Sequence, residues 1–128
     1  MADREVFMAK KILIVDDAEF MRMMLRGILE PYGYSIVGEA EDGDKAVELF
    51  KQLKPDLVTM DIIMTNMNGV DSLREIKKIE KNAKVVVISA VDQRDVLLES
   101  LRLGAKDFIV KPFEEERVLS AVKKALEK

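Results

Sequence analysis

The chain has 128 residues, of which 48% are hydrophobic and 35% charged, a balance typical of one folded domain rather than of a disordered chain. Its net charge is only −3, so it offers no basic field that would hold nucleic acid or an anionic membrane. Cysteine and histidine are both absent, which excludes disulfides, thiol or imidazole catalysis, and the usual zinc ligands. Any chemistry must use carboxylates, hydroxyls, amines or a hard metal ion.

The amino-terminal segment is not expected to act as a targeting signal. MADREVFMAK has no apolar stretch of signal-peptide length, and no run in the chain approaches the length that spans a membrane. We therefore expect a cytoplasmic protein with no membrane or nucleic-acid partner. Residues 1–9 are predicted to form a loosely held extension, and residues 10–128 are predicted to form the functional domain.

Five short apolar runs alternate with segments in which apolar residues recur every three or four positions, as on one face of a helix. Five strands that alternate with helices predict a doubly wound parallel sheet, and the flavodoxin-like strand order 2-1-3-4-5 with helices on both faces is a common solution. In chain order the elements are strand 12–15 (ILIV), helix 21–29, strand 35–40 (SIVGEA), helix 46–53, strand 56–60 (DLVTM), helix 70–76, strand 84–89 (KVVVIS), helix 96–101, strand 107–110 (DFIV) and helix 118–126.

Polar residues stand where four of these strands end, at the sheet edge where such folds bind ligands. Three carboxylates in one crevice would raise one another's pKa, and a divalent cation would relieve the repulsion. Ligation by oxygen alone favours Mg²⁺, or Mn²⁺ in its place. Each residue has an ordinary explanation by itself, such as a helix cap or a solvated side chain. The convergence of all five residues at one edge of the sheet instead favours a ligand-binding site. They are Asp16, Asp17, Asp61, Ser89 and Lys111.

The loop after the first strand also excludes a class of ligand. Dinucleotide-binding folds need a glycine-rich turn there, so that backbone amides approach a pyrophosphate. The corresponding sequence is VDDAEF, with two anions and no glycine. A nicotinamide or flavin cofactor is therefore not expected.

Four motifs, VDDAEFMRMML, VTMDIIMTNMNG, VISA and KDFIVKPF, together resemble the receiver domains of two-component response regulators. The resemblance extends from about Lys10 to Lys128, and the first helix and single-domain layout are most similar to CheY-type chemotaxis regulators. It implies that Asp61 accepts a phosphoryl group from a CheA-type histidine kinase. It also implies that Asp16, Asp17, Asp61 and the backbone carbonyl of Ile63 hold Mg²⁺.

The same resemblance implies how phosphorylation would be sensed. Ser89 would be the switch hydroxyl, Lys111 would contact the phosphoryl group, and the peptide from Lys111 to Pro112 would be cis. Phe108 would be the aromatic switch, at a position that is often tyrosine in the chemotaxis subgroup, although a plain core aromatic is the alternative. Thr65 departs from the family, which usually has proline four residues after the acceptor.

Two apolar positions predict slow loss of the phosphoryl group. Ile63 lies two residues after the acceptor and Val91 two residues after the switch hydroxyl, where receivers control dephosphorylation. Neither side chain orients an attacking water, and both shield the acyl phosphate. We expect a separate phosphatase to be needed where signals end quickly.

The resulting hypothesis is a monomeric receiver, not a turnover enzyme, that binds a motility-switch or adaptor protein. The surface would be the fourth helix, fifth strand and fifth helix, which include Arg94, Glu99, Arg102, Lys106 and the acidic run 114–116. A phosphate shuttle or phosphate sink in a relay is the alternative. A phosphatase of the haloacid dehalogenase type would need aspartate at position 63, and the complete acidic set argues against a binding-only pseudo-receiver.

Overall fold

Strands and helices alternate through residues 9–64, 68–90 and 94–127, the residues that the structure, a computed structural model, describes. The strands are β1 (Lys11–Val15), β2 (Ser35–Ala40), β3 (Leu57–Met60), β4 (Val85–Ser89) and β5 (Asp107–Val110). The helices are α1 (Glu19–Leu29), α2 (Gly43–Leu53), α3 (Gly69–Ile79), α4 (Arg94–Arg102) and α5 (Glu115–Leu126), with a 3-10 turn at Glu30–Tyr32.

The strands form one parallel sheet in the order β2-β1-β3-β4-β5, which confirms the predicted flavodoxin-like fold. Side chains alternate between its two faces, because successive residues of a strand point in opposite directions. Leu13 and Val15 pack in the cluster that includes residues of α2, α3 and α4, whereas Ile12 and Ile14 pack with residues of α1 and α5. Burial on both faces explains why the strands are uninterrupted apolar runs.

Three of the helical segments end at a residue with positive φ. Gly33 follows the 3-10 turn with φ of 93°, and Gly104 follows α4 with φ of 102°, a region that L side chains rarely adopt. Lys54 takes the left-handed conformation at the end of α2, directly before Pro55. These turns reverse the chain so that the next strand enters the sheet in parallel.

The prediction of a loosely held extension falls on residues 1–8, which lie outside the described residues, and on residue 9. It therefore stays a prediction. Within the described ranges, no helix is both long enough and apolar enough to cross a membrane.

The start of α3 lies directly against the end of β3. Asn68 caps this helix through its side-chain oxygen, which accepts a hydrogen bond from Asp71 N at 2.9 Å. A Cβ atom on Gly69 would lie 2.3 Å from the backbone oxygen of Asp61 and 2.5 Å from Cα of Ile62. Only glycine therefore fits at this point without moving the backbone that carries Asp61.

We predict that Gly69→Ala lowers the free energy of unfolding by about 1–3 kcal/mol, the usual cost of forcing extra atoms into a packed site. The matched control is Gly27→Ala, because Gly27 is exposed in α1 and a Cβ there would meet no atom within 4 Å. That control should gain about 0.5–1 kcal/mol from the better helix propensity of alanine. Urea denaturation measures both, and equal stabilities for the two variants would contradict the close approach.

Candidate functional site

Backbone hydrogen bonds continue past the strand ends and bring the candidate residues to one edge of the sheet. Asp61 N donates to Val15 O at 3.0 Å, and Lys111 N donates to Ser89 O at 2.9 Å. Asp61 therefore lies beside the end of β1, and Lys111 lies beside the end of β4. This alignment explains how side chains up to 95 positions apart in sequence meet.

Three carboxylates form the centre of the site. Asp16, Asp17 and Asp61 each offer a carboxylate oxygen, and these atoms all lie within 4.8 Å of one another. Asp16 is 1% exposed and Asp61 is 6% exposed, whereas Asp17 is exposed. The sequence prediction that the first and third strand ends share a crevice is therefore confirmed in its geometry.

Lys111 joins two of these carboxylates. Its Nζ atom lies 2.6 Å from Oδ2 of Asp16 and 2.9 Å from Oδ2 of Asp61, and only 14% of the side chain is exposed. Burial alone would lower the pKa of the Lys111 ammonium, but the hydrogen bonds and charges of the two carboxylates outweigh burial and raise it. Lys111 is therefore a partly buried, paired cation and not a solvated surface lysine.

The second oxygen of Asp61 is held by uncharged donors. Ser89 Oγ donates to Oδ1 of Asp61 at 2.7 Å, and the backbone N–H of Ile63 donates to the same atom at 3.1 Å. Ser89 is fully buried at the end of β4, so it is not a turn or cap residue. Both oxygens of Asp61 thus have donors within hydrogen-bond distance.

The charge balance of the site favours a divalent cation. Burial raises the pKa of Asp16, and the Asp61 charge adds to the increase, whereas Lys111 and the backbone N–H of Ala18 act against it. Three carboxylates against one ammonium leave a surplus of two negative charges when all are ionised. Oxygen ligands of this kind fit Mg²⁺.

The structure changes the interpretation of Asp17 and locates the remaining predicted residues. Asp17 does not cap α1: the N-cap residue is Ala18, and no side-chain cap bond is present. The Lys111–Pro112 peptide is cis, as predicted. Phe108 is buried in the core face of β5, and its role as a switch stays a prediction, as does metal ligation by the carbonyl of Ile63. The predictions at Thr65 and Val91 lie outside the described residues.

Sequence reasoning missed one side chain beside the site. Arg22, in the first turns of α1, donates from Nη1 to the backbone oxygen of Asp16 at 2.7 Å and from Nε to Oε1 of Glu39 at 2.9 Å. The signal was present as an arginine six residues after Asp16, in VDDAEFMR. Helical periodicity alone does not show that its side chain turns back toward the loop.

The comparisons with known proteins agree with this architecture. A model of the response regulator receiver domain matches residues 12–123. The chain therefore belongs to the response regulator receiver domains, and its type is that of the CheY chemotaxis proteins.

The similarity covers almost the full length of the relatives. The chain is 56% identical to the chemotaxis protein CheY of Thermotoga maritima over 91% of this chain and 98% of that protein. It is 52% identical to CheY of Bacillus subtilis, over 93% and 99% respectively. A chain in the crystal structure of the CheX–CheY–BeF3–Mg complex from Borrelia burgdorferi matches with a TM-score of 0.89 and 38% identity, over 93% of this chain and 90% of that one.

Membership of this family carries general consequences. Receiver domains generally use Mg²⁺, and the cluster of Asp16, Asp17 and Asp61 is compatible with it. The CheY protein of Borrelia burgdorferi is crystallised in a complex with CheX.

We predict that Lys111→Met lowers the free energy of unfolding by roughly 3 kcal/mol in the absence of divalent cations, because it leaves buried carboxylates without their cation. Saturating Mg²⁺ should stabilise this variant more than the unsubstituted chain, since a second source of positive charge replaces the ammonium. Denaturation with and without Mg²⁺ measures both effects. Lys123→Met, exposed on α5, should stay within about 0.5 kcal/mol. No loss of stability in Lys111→Met would show that the ion pairs do not offset the buried charge.

Proposed function

We propose that this chain is a phosphorylatable chemotaxis regulator that accepts a phosphoryl group on Asp61 from a CheA-type histidine kinase. The observation that carries the proposal is the position of Asp61: its carboxylate is buried, one oxygen is bonded by Ser89, the other by Lys111, and two further aspartates lie beside it. A carboxylate in such surroundings can act as a nucleophile toward phosphorus.

In the proposed transfer, a carboxylate oxygen of Asp61 bonds to phosphorus while the bond between phosphorus and the donor imidazole nitrogen breaks. The imidazole leaves with the electron pair. Lys111 and Ser89 already donate to the two oxygens of Asp61, which supports a role for both in binding the transferred phosphoryl oxygens. Bound Mg²⁺ would neutralise the negative charge on the phosphoryl oxygens. Asp16, Asp17 and Asp61 would hold the Mg²⁺ ion.

The change of shape would begin at Ser89. Its hydroxyl donates to Asp61 in this structure, and bonding to the phosphoryl group instead would pull on the end of β4. Phe108 on β5 pairs with Val87 on β4 and packs in the same cluster as Val96 and Leu97 of α4. These contacts support a coupled movement of α4 and β5.

The output surface that we propose comprises α4, β5 and α5, and it would bind a motility-switch or adaptor protein. Val110 is exposed in β5, and Glu99 of α4 is bonded to Arg74 of α3 at 3.2 Å. The acidic residues at 114–116 stand at the start of α5, where the helix dipole favours negative charge, so they do not by themselves define a partner. The relative that is crystallised with CheX supports a chemotaxis protein as partner.

We further propose that the protein acts in the cytoplasm as a monomer and is not a turnover enzyme. Phosphorylation would change its binding to a partner, in place of releasing a product. A pull-down with flagellar switch components, comparing phosphorylated and unphosphorylated protein, separates this role from a phosphate sink, which would show no difference.

The phosphoacceptor is tested by incubating the protein with Mg²⁺ and a small acyl-phosphate donor and measuring the intact mass. We predict one phosphoryl adduct that is lost in Asp61→Ala. The matched control is Asp44→Ala, because Asp44 is exposed in the first turn of α2 and does not belong to the cluster of Asp16, Asp17 and Asp61; this variant should keep the adduct. Failure of the unsubstituted protein to form an adduct with any such donor would count against the proposal.

Removal of the phosphoryl group gives a separate prediction. Ile63 is 57% exposed, and its backbone N–H is bonded to Asp61, so its apolar side chain stands beside the acceptor. We predict that Ile63→Asn shortens the lifetime of the phosphorylated form several-fold, because the amide can orient an attacking water. Ile79→Asn, a partly exposed site at the far end of α3, is the control and should leave the lifetime unchanged. Decay followed by intact mass decides, and equal lifetimes would refute the shielding role of Ile63.

A further inference from the structure

Arg22 connects two parts of the fold that meet beside the acidic cluster. Its Nη1 atom lies 2.7 Å from the backbone oxygen of Asp16, at the end of β1, and its Nε atom lies 2.9 Å from Oε1 of Glu39 on β2. Only 15% of its side chain is exposed, so the guanidinium is held in place rather than free in solvent. Its backbone N–H also donates to Ala18 O at 3.1 Å. The loop between β1 and α1 is therefore closed by two contacts of the same residue.

The carbonyl that Arg22 holds belongs to the peptide that joins Asp16 to Asp17. The other polar atoms of Asp16 are held as well: its N–H donates to Ala40 O at 3.0 Å, Oδ1 accepts from Ala18 N at 2.9 Å, and Oδ2 accepts from Lys111. Asp17 differs, because in the part of the chain that the structure describes no donor pairs with its exposed carboxylate. The position of that carboxylate therefore follows the backbone that carries it.

Glu39 keeps the guanidinium in this orientation. Its Oε1 atom accepts from Arg22, and its Oε2 atom accepts from Arg26 Nε at 3.0 Å and Nη2 at 2.8 Å. Burial alone would raise the pKa of Glu39, but the hydrogen bonds from Arg26 and Arg22 outweigh it and lower the pKa, so Glu39 stays ionised. The two arginines share this partner, and only Arg22 also bonds to Asp16.

We propose that Arg22 is a positioning residue for the magnesium site: its hydrogen bond to the carbonyl of Asp16, maintained by Glu39, fixes the peptide that presents the Asp17 carboxylate to the cation. The inference rests on the proposed Mg²⁺ site and extends it to a residue that touches neither the cation nor the phosphoryl group. Residues that hydrogen-bond to the ligands of a metal ion orient those ligands, and they are themselves needed for tight binding of the metal.

The direction in which the Mg²⁺ affinity changes, when the guanidinium of Arg22 is removed, distinguishes a positioning role from a purely electrostatic one. Removing a positive charge beside a cation site would tighten cation binding if charge alone mattered. Loss of the Asp16 hydrogen bond would instead loosen the Asp17 peptide and weaken binding. A weaker affinity in a variant without the guanidinium therefore indicates geometry.

The experiment is isothermal titration of Mg²⁺ into the full chain and into two variants, with thermal unfolding in chelator as a second readout. We predict that Arg22→Ala raises the Kd for Mg²⁺ about tenfold, the lower end of the usual effect of outer-sphere partners. Arg26→Ala is the matched control, because it also removes bonds to Glu39 but none to Asp16, and its Kd should match that of the unsubstituted chain. Arg22→Lys, which keeps a cation and one donor group, should give an intermediate Kd.

An unchanged Kd in Arg22→Ala, or an equal increase in Arg26→Ala, would overturn the positioning role, since the second result would assign the effect to the general loss of ion pairs with Glu39. If thermal unfolding shows that Arg22→Ala does not fold, the test uses Arg22→Lys. A Kd of Arg22→Lys for Mg²⁺ equal to that of the unsubstituted chain would then overturn the positioning role of Arg22. Failure of the unsubstituted chain to bind Mg²⁺ is a different result: it refutes the magnesium site itself and the inference with it.

Discussion

The buried contact between Lys111 and the carboxylates of Asp16 and Asp61 is the interaction on which the site depends. Carboxylates this close repel one another, and burial raises the pKa of Asp16 because an ionised group is costly away from water. The ammonium makes the arrangement tolerable, although it leaves negative charge in surplus. That surplus is a property of the folded chain, and it is the physical reason for a divalent cation to bind where a phosphoryl group would arrive.

The rest of the fold supplies fixed positions for these charges. Strands buried on both faces cannot slip without disrupting the packing of their apolar side chains, so the residues that follow them are held in a fixed register. Ser89 and Ile63 N–H satisfy the oxygen of Asp61 that Lys111 does not contact. Gly69 lets α3 begin against the backbone of Asp61. A site held this closely is suited to a two-state signal, because a new bond at Asp61 must displace existing donors.

The sheet and most of the site could be predicted from the sequence because they follow from simple regularities. The runs SIVGEA and DFIV coincide with β2 and β5, and in a doubly wound sheet the ends of parallel strands meet at one edge. Asp17 was harder to interpret, since an aspartate before a helix is usually a cap, and only the folded structure shows that the cap position belongs to Ala18. Arg22 was missed, because no periodic pattern shows that a helical side chain bonds to a carbonyl behind it.

What the sequence by itself determined was the order of strands and helices along the chain, the absence of thiol and imidazole groups, and the five polar residues at the strand ends. These depend on local composition and on short-range periodicity, which any stretch of chain carries with it. Tertiary structure alone decided which oxygen of Asp61 bonds to Ser89 and which to Lys111. It also decided that position 69 has no room for a side chain, and that Glu39 and Arg22 brace the loop after β1. Those contacts join residues from different strands and helices, and their distances exist only once the sheet has brought the elements together.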